Sequence, residues 1–327
     1  MDKNQRAIVI ARVKRRLKVL GALLGLIVLA LITIYFAAPQ WLMQVQVDWQ
    51  ARRAQVEEKF VQAGDTHWSY YEGGKSGAPT LLLLHGYEDS KEVWLPVAQY
   101  LTPNFRVIIP DLPGWGDSSR NAGANYDYTA QADRLRAFIE KLNLGGVAIA
   151  GHSMGGGIAG VYASKYPQDI GALILIDSAG APFKENAFLR EVNAGRNPFA
   201  LENRVDFERG QKLGFEHPPW LPPRFKDVII AQARQDRTFD DRVFWQLFAP
   251  DQRNVLTHAL PKVTAPTLTI WCRQDKIIDI SALDAIRSAL TAAPKISVTE
   301  FNGCGHMAIL ERPKEIADAI THFVLMP

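Results

Sequence analysis

The stretch Val147-Ala148-Ile149-Ala150-Gly151-His152-Ser153-Met154-Gly155-Gly156-Gly157 constrains this chain more than any other. A run of small and β-branched residues passes through Gly-x-Ser-x-Gly into Ile158-Ala159-Gly160-Val161-Tyr162-Ala163, whose character is helical. A strand, a sharp turn and a helix in immediate succession strain the backbone at the central residue. The positions two before and two after that residue must then be small, and Gly151 and Gly155 meet the demand. Ser153 is therefore expected to stand clear of a sheet, above the N-terminus of the following helix. The pattern reads as a nucleophile elbow rather than as an ordinary serine in a glycine-rich loop.

Such an elbow needs a sheet around it, and the chain supplies one. Residues 80–85 form a continuous apolar run, as in a strand buried on both faces, broken at Gly86. Residues 106–110 repeat the pattern and end in the turn-dense Asp111-Leu112-Pro113-Gly114-Trp115-Gly116. Residues 128–142 have helical periodicity, and further short strands are predicted at 172–177, 267–272 and 296–301. Ahead of these, residues 59–62 and 67–72 alternate about the turn Gly64-Asp65, as an exposed strand pair does. Strands alternating with helices predict an α/β protein with a mostly parallel, doubly wound sheet. Between residues 180 and 257 the alternation stops. The breaker His217-Pro218-Pro219-Trp220-Leu221-Pro222-Pro223 falls there, with Phe183, Phe188, Phe199, Phe207, Phe215, Phe225, Phe239, Phe244, Trp245 and Phe248. So long a segment after a strand end is expected to be a helical cap over a site, most of its aromatics packing it onto the core. The division expected is a core of residues 58–180 and 258–327 with a cap of residues 181–257.

No charged residue occurs between Val19 and Ala38. About twenty helical residues span roughly 30 Å, the thickness of a bilayer's hydrocarbon. The run exceeds the apolar core of a signal peptide, and Tyr35, Phe36 and Trp41 suit an interfacial belt. Residues 19–38 are thus expected to be a transmembrane anchor, followed by a helical stalk at 39–57. Before the anchor, Lys3, Arg6, Arg12, Lys14, Arg15, Arg16 and Lys18 stand against Asp2 alone. The basic residues 1–18 should stay in the cytoplasm, with the rest of the chain on the far side of the membrane. Against a formal net charge of +3, the folded remainder is mildly acidic, which argues against a nucleic-acid partner.

Serine is a poor nucleophile without a base, and the base needs a carboxylate to fix its tautomer. His306, in the glycine-rich loop after the last strand, is the candidate base; His152 sits inside the elbow and should point elsewhere, and His85 should brace a turn. Asp275, just beyond the strand ending at Cys272, is the candidate acid, with Asp279 and Asp177 as rivals more suited to capping a loop. The backbone N–H groups of Met154 and Tyr87 are expected to form an oxyanion hole, Gly86 allowing the turn. Cys272 and Cys304 lack metal-ligand spacing, and neither metal nor cofactor is expected. Disulfide geometry is demanding, so two free buried thiols are the expectation.

Five motifs in order, His85-Gly86-Tyr87, Asp111-Leu112-Pro113-Gly114, Gly151-His152-Ser153-Met154-Gly155-Gly156, Trp271-x-x-x-Asp275 and Gly303-Cys304-Gly305-His306, resemble the α/β-hydrolase superfamily from about residue 55 to the C-terminus. Within it the chain is similar to membrane-anchored monoacylglycerol lipases and related bacterial esterases and lipases. The resemblance implies a triad of Ser153, Asp275 and His306 and hydrolysis of a lipid ester through an acyl-enzyme. It departs at Cys272, where that group has glycine. The same triad also serves carbon–carbon hydrolases of ring-fission products and haloperoxidase-like enzymes. A non-enzymatic binding module would be expected to have lost a triad member, and all three positions are filled.

Overall fold

The computed structural model describes residues 2–326. Met1 and Pro327, the outer ends of the basic segment and of the core's second segment, lie outside the described residues.

Eight strands form one sheet: β1 (Val56–Ala63), β2 (Thr66–Gly74), β3 (Thr80–Leu84), β4 (Arg106–Pro110), β5 (Val147–His152), β6 (Ile170–Ile176), β7 (Thr267–Cys272) and β8 (Ile296–Phe301). Their spatial order is β1-β2-β4-β3-β5-β6-β7-β8. β2 runs antiparallel to both β1 and β4, and every other pairing is parallel. The apolar runs of the sequence are continuous because both faces are covered. Leu82 and Leu84 pack on one face with Ile108, Ile149 and Leu173, while Leu81 and Leu83 pack on the other with Val107, Ala148 and Ile174. Each such side chain removed from water contributes about 1.5–3 kcal/mol. The helix Tyr128–Lys141 begins at Asp127, whose carboxylate accepts from the Ala130 N–H at 2.8 Å. Such a cap satisfies a backbone donor that the helix leaves without a partner.

A fully buried lysine, which no local pattern signals, holds the loops beneath the site. The Lys91 ammonium lies 2.7 Å from Asp111, 2.9 Å from Asp117, 3.1 Å from Glu58 and 3.2 Å from Glu92. Burial opposes its charge, but Asp111 and Glu92 outweigh that and raise its proton affinity. Removing one partner would strand a buried charge at a cost of about 3–5 kcal/mol, so the cluster ties the 111–117 loop to the segment that follows β3.

Between β6 and β7 lie the helices Ala187–Asn193, Arg204–Gly214, Pro223–Leu247 and Val255–Ala259. The longest starts at the end of the proline run, where proline is tolerated because the first turn's N–H groups have no helical partner. At the other end, the helix Lys3–Ala37 runs unbroken through the basic segment, and its part Arg12–Ala37 is long and apolar enough to cross a membrane, with mean hydropathy 2.7. A break at Ala38 leads to the helix Pro39–Arg53. That junction touches the insertion. The Arg224 N–H donates to the Tyr35 hydroxyl at 3.3 Å, and the Arg224 guanidinium lies 5.4 Å from the Phe36 ring centre.

Candidate active site

Ser153 occupies the step from β5 to the helix Met154–Lys165 at φ +53°, ψ −119°. A non-glycine residue in this region is strained, and its neighbours make the turn possible. A Cβ on Gly151 would fall 2.2 Å from the Gly155 carbonyl oxygen, and one on Gly155 would fall 2.5 Å from the carbonyl oxygens of Leu84 and His85. The two glycines are needed for close packing; neither has the positive φ that would demand one for conformation.

The strand ends bring the expected side chains together. Ser153 Oγ lies 2.9 Å from His306 Nε2, and His306 Nδ1 lies 2.7 Å from Asp275 Oδ2. The other carboxylate oxygen, Asp275 Oδ1, accepts from the N–H groups of Ile277 (2.8 Å) and Ile278 (3.0 Å). Both oxygens are thus fixed, and the loop is closed by the Trp271 indole donating to the Ile278 carbonyl at 3.1 Å. The rivals do other work. Asp279 accepts from the Ser281 N–H at 2.9 Å ahead of the helix Ala282–Ala289. Asp177 accepts from the Cys272 N–H at 2.9 Å; burial, then the nearby Asp275, hold its carboxyl well above the usual range.

Three features depart from the sequence reading or were missed by it. His152 does not point away from the site. Its Nε2–H donates to the His306 carbonyl at 2.8 Å, tying the elbow to the base's loop, and burial lowers its pKa to about 3, so the ring is neutral. Glu311 was not singled out, yet it accepts from the Gly305 N–H at 2.6 Å and from the His217 N–H at 2.8 Å, joining the base's loop to the insertion. Cys272 and Cys304 are not free thiols but form a disulfide. The expectation failed because β7 and β8 are paired neighbours and the chain after β8 folds back, bringing the two Cα atoms to 5.4 Å, inside the range a disulfide needs. His85 braces its turn as expected, accepting from the Leu112 N–H at 2.9 Å and donating through Nδ1 to the Gly86 carbonyl at 2.8 Å.

Ser153 and His306 open into a cavity of about 500 Å³. Its walls are mostly apolar, with Phe188, Phe199, Phe207, Phe215, Leu221 and Phe248 from the insertion and Ile277, Ile278 and Met307 from the core. Tyr128, Ala179, Leu247, Phe248 and Ile278 separate it from a neighbouring hollow of about 380 Å³. Phe239 and Phe244 of the insertion serve packing: Phe239 lies edge-on to Tyr126 at 5.0 Å, and Phe244 lies tilted against Phe248 at 4.6 Å.

A strained serine on a strand-to-helix turn, with its base and acid supplied by later strand ends of a parallel sheet, defines an α/β hydrolase. The family model for the alpha/beta hydrolase fold matches residues 79–313, and the chain belongs to that family. Among its relatives, human monoacylglycerol lipase ABHD6 is 27% identical over 319 residues, 93% of each chain. Lipase 1 of Psychrobacter immobilis is 30% identical over 76% of this chain and 78% of its own length. Among solved structures, a membrane phospholipase A described as a bacterial virulence factor superposes with a TM-score of 0.83. It is 33% identical, over 94% of this chain and 98% of that one.

Proposed function

We propose that this protein is a membrane-anchored serine hydrolase of lipid esters, acting on monoacylglycerols or medium-chain acyl esters. The observation that carries the reading is the Ser153–His306–Asp275 relay, at 2.9 and 2.7 Å, opening into an apolar cavity. Ser153 Oγ attacks the ester carbonyl carbon as its proton passes to His306 Nε2, and Asp275 holds the imidazolium through Nδ1–H. The tetrahedral oxyanion is met by the backbone N–H groups of Tyr87 and Met154. Neither has a protein acceptor among the described residues, and donors left free in this way are preorganised for charge that develops in the transition state. Collapse breaks the ester C–O bond, the leaving alcohol takes the proton from Nε2, and the acyl group stays on Ser153. Water then attacks the acyl-enzyme by the same proton route, releasing a carboxylic acid and restoring the serine.

Similarity to a monoacylglycerol lipase and to bacterial lipases supports the ester class. The apolar walls favour a long acyl chain, since each buried methylene is worth about 0.8 kcal/mol and a few carbons shift binding more than tenfold. The basic flank favours a cytoplasmic N-terminus, and a disulfide in the catalytic domain fits an oxidising compartment beyond the membrane. The contact of Tyr35 and Phe36 with Arg224 supports an insertion lying close to the bilayer surface, and Trp220, just ahead of Arg224 in the chain, is 81% exposed. An indole at that level suits a membrane interface.

The test is fluorophosphonate labelling, abolished by Ser153→Ala, together with an acyl-length series of monoacylglycerols and p-nitrophenyl esters on the full-length protein in liposomes. Turnover that rises with chain length supports the reading. A strict preference for acetyl esters removes the lipid substrate.

A further inference from the structure

The apolar cavity has a polar corner beside the nucleophile. Glu88 and Asp89, which follow the expected oxyanion residue Tyr87, both line the cavity. Asp89 Oδ2, His152 Nδ1 and Ser153 Cβ each lie 3.4 Å from the point where a Cβ on Gly86 would sit. The Asp89 carboxyl and the nucleophile's Cβ are therefore at most twice that distance apart, around the space that a glycine leaves open. His152 contributes a second, independent polar atom. The ring is 1% exposed, its Nε2–H is committed to the His306 carbonyl, and its Nδ1 is left as an acceptor without a partner. Glu88 stands at φ +57°, where a longer side chain is strained and glycine would be free of strain, so the backbone tolerates a cost to keep a carboxyl at this position. Among the described residues neither carboxyl forms an ion pair with a lysine or arginine. Burial raises the carboxyl of Asp89 to about 7, against the favourable charge of His306.

We propose that Asp89, with Glu88 and His152 Nδ1, forms the alcohol-side subsite of this cavity and selects lipid esters whose alcohol carries free hydroxyls over esters of plain alkanols. The inference rests on the hydrolase reading of Ser153. His306 must hand its proton to the leaving alcohol, so the alcohol lies on the His306 side of the serine, where the His152 ring is centred 5.0 Å from that of His306 and shares the space at Gly86 with Asp89. A hydroxyl two carbons from the ester oxygen reaches groups this close to the serine, whereas the distal amine of a phosphodiester headgroup is several bonds too far. A hydroxyl both donates and accepts, so it can satisfy a bare imidazole nitrogen and a carboxyl in either protonation state. A propyl ester of the same size leaves the Asp89 carboxyl and the His152 nitrogen without that partner, which is the discrimination that hydrogen-bonding sites perform best.

The experiment compares kcat/KM for 1-decanoylglycerol, propyl decanoate and decanoylcholine, using full-length protein in detergent micelles and normalising each preparation to fluorophosphonate-titrated serine. The wild type is expected to prefer the glyceride to the propyl ester by at least about tenfold. Asp89→Leu should collapse that ratio to within about twofold, and Asp89→Asn, which keeps the hydrogen bonds and loses the charge, should retain most of it. A wild-type ratio near one, or a ratio that Asp89→Leu does not move, overturns the proposal. A preference for decanoylcholine over both, lost in Asp89→Asn, also overturns it and identifies a cation subsite instead. Failure to hydrolyse any of the three refutes the hydrolase reading, and the proposal with it.

Discussion

The disulfide between Cys272 and Cys304 should set much of the catalytic domain's resistance to heat while contributing little to turnover. It closes a loop between positions 32 apart in sequence, and restricting the unfolded chain by a loop of that size is worth about 3–4 kcal/mol. For a domain of this size each kcal/mol moves the melting midpoint by about 2–4 °C, so replacing both cysteines by serine should lower Tm by on the order of 10 °C. The two loops it joins carry Asp275 and His306, but each loop has its own restraint. The acid loop is held by the Trp271 indole on the Ile278 carbonyl, and the base loop by Glu311 on the Gly305 N–H. Below the transition, kcat/KM should therefore stay within about tenfold of the wild type, because hydrogen-bonded restraints on each side of the relay remain. Both sulfurs belong to buried residues, so a reductant should act only slowly on the folded protein and quickly once it opens. The assay is circular dichroism melting of wild type and Cys272→Ser/Cys304→Ser, each with and without reductant under partly denaturing conditions. A wild-type midpoint equal to that of the double variant, or two free thiols counted in denatured, unreduced wild type, refutes the reasoning.

Asp275→Asn should remove turnover by on the order of 10⁴-fold with the fold intact, since the imidazole loses the partner that fixes its tautomer. Asp279→Asn, which touches only a helix start, should be mild, and steady-state kinetics in which Asp279→Asn is the crippling change would reverse the assignment. Asp240 is buried with Oδ1 unpartnered, and burial raises its carboxyl to about 7, Arg120 opposing this, from an ordinary 3.8. The folded state then holds this proton more tightly than the unfolded chain. Stability is fully present below pH 3.8 and is lost as pH rises toward about 7. Asp240→Asn should accordingly stabilise the protein more at pH 8 than at pH 4, and urea midpoints showing the opposite trend would contradict this. Trp220→Ala should raise the apparent KM for monoacylglycerol in liposomes by about tenfold and leave a water-soluble butyrate ester unaffected; equal effects on both would place Trp220 away from the membrane.

The sheet's inner strands, β3 to β7, were legible because they carry two-sided apolar runs, and that composition leaves few arrangements that bury it. The same is true of the elbow, where Gly151 and Gly155 are demanded by backbone packing that any sequence making this turn must satisfy. What could not be read is how polar groups distant in the chain choose partners. His152 and His306 are 154 positions apart, and Glu311 and His217 are 94 apart. No periodicity encodes which carbonyl or N–H a buried side chain will meet; only the completed fold does. The cysteines fall between these cases. That both sit at the ends of strands was visible, but pairing turned on a Cα separation fixed by the turn after β8.

The coupling of anchor to site follows from the same long-range placement. Local sequence announces an apolar helix at the start and an aromatic-rich insertion two hundred residues later, and nothing local relates them. In the fold the apolar helix, in its last turn before Ala37, sets Tyr35 and Phe36 against Arg224 at the start of the insertion's longest helix. The same proline-rich segment that precedes this helix supplies Pro219 and Leu221 to the cavity wall. On the proposed reading, an acyl chain that enters past this segment would pass from the bilayer to cavity wall without crossing open water. Such a route spares the lipid the hydration of its chain, about 0.8 kcal/mol for each methylene that would otherwise cross water. A tether placed elsewhere on the domain would keep the enzyme near its substrate but would forgo that saving.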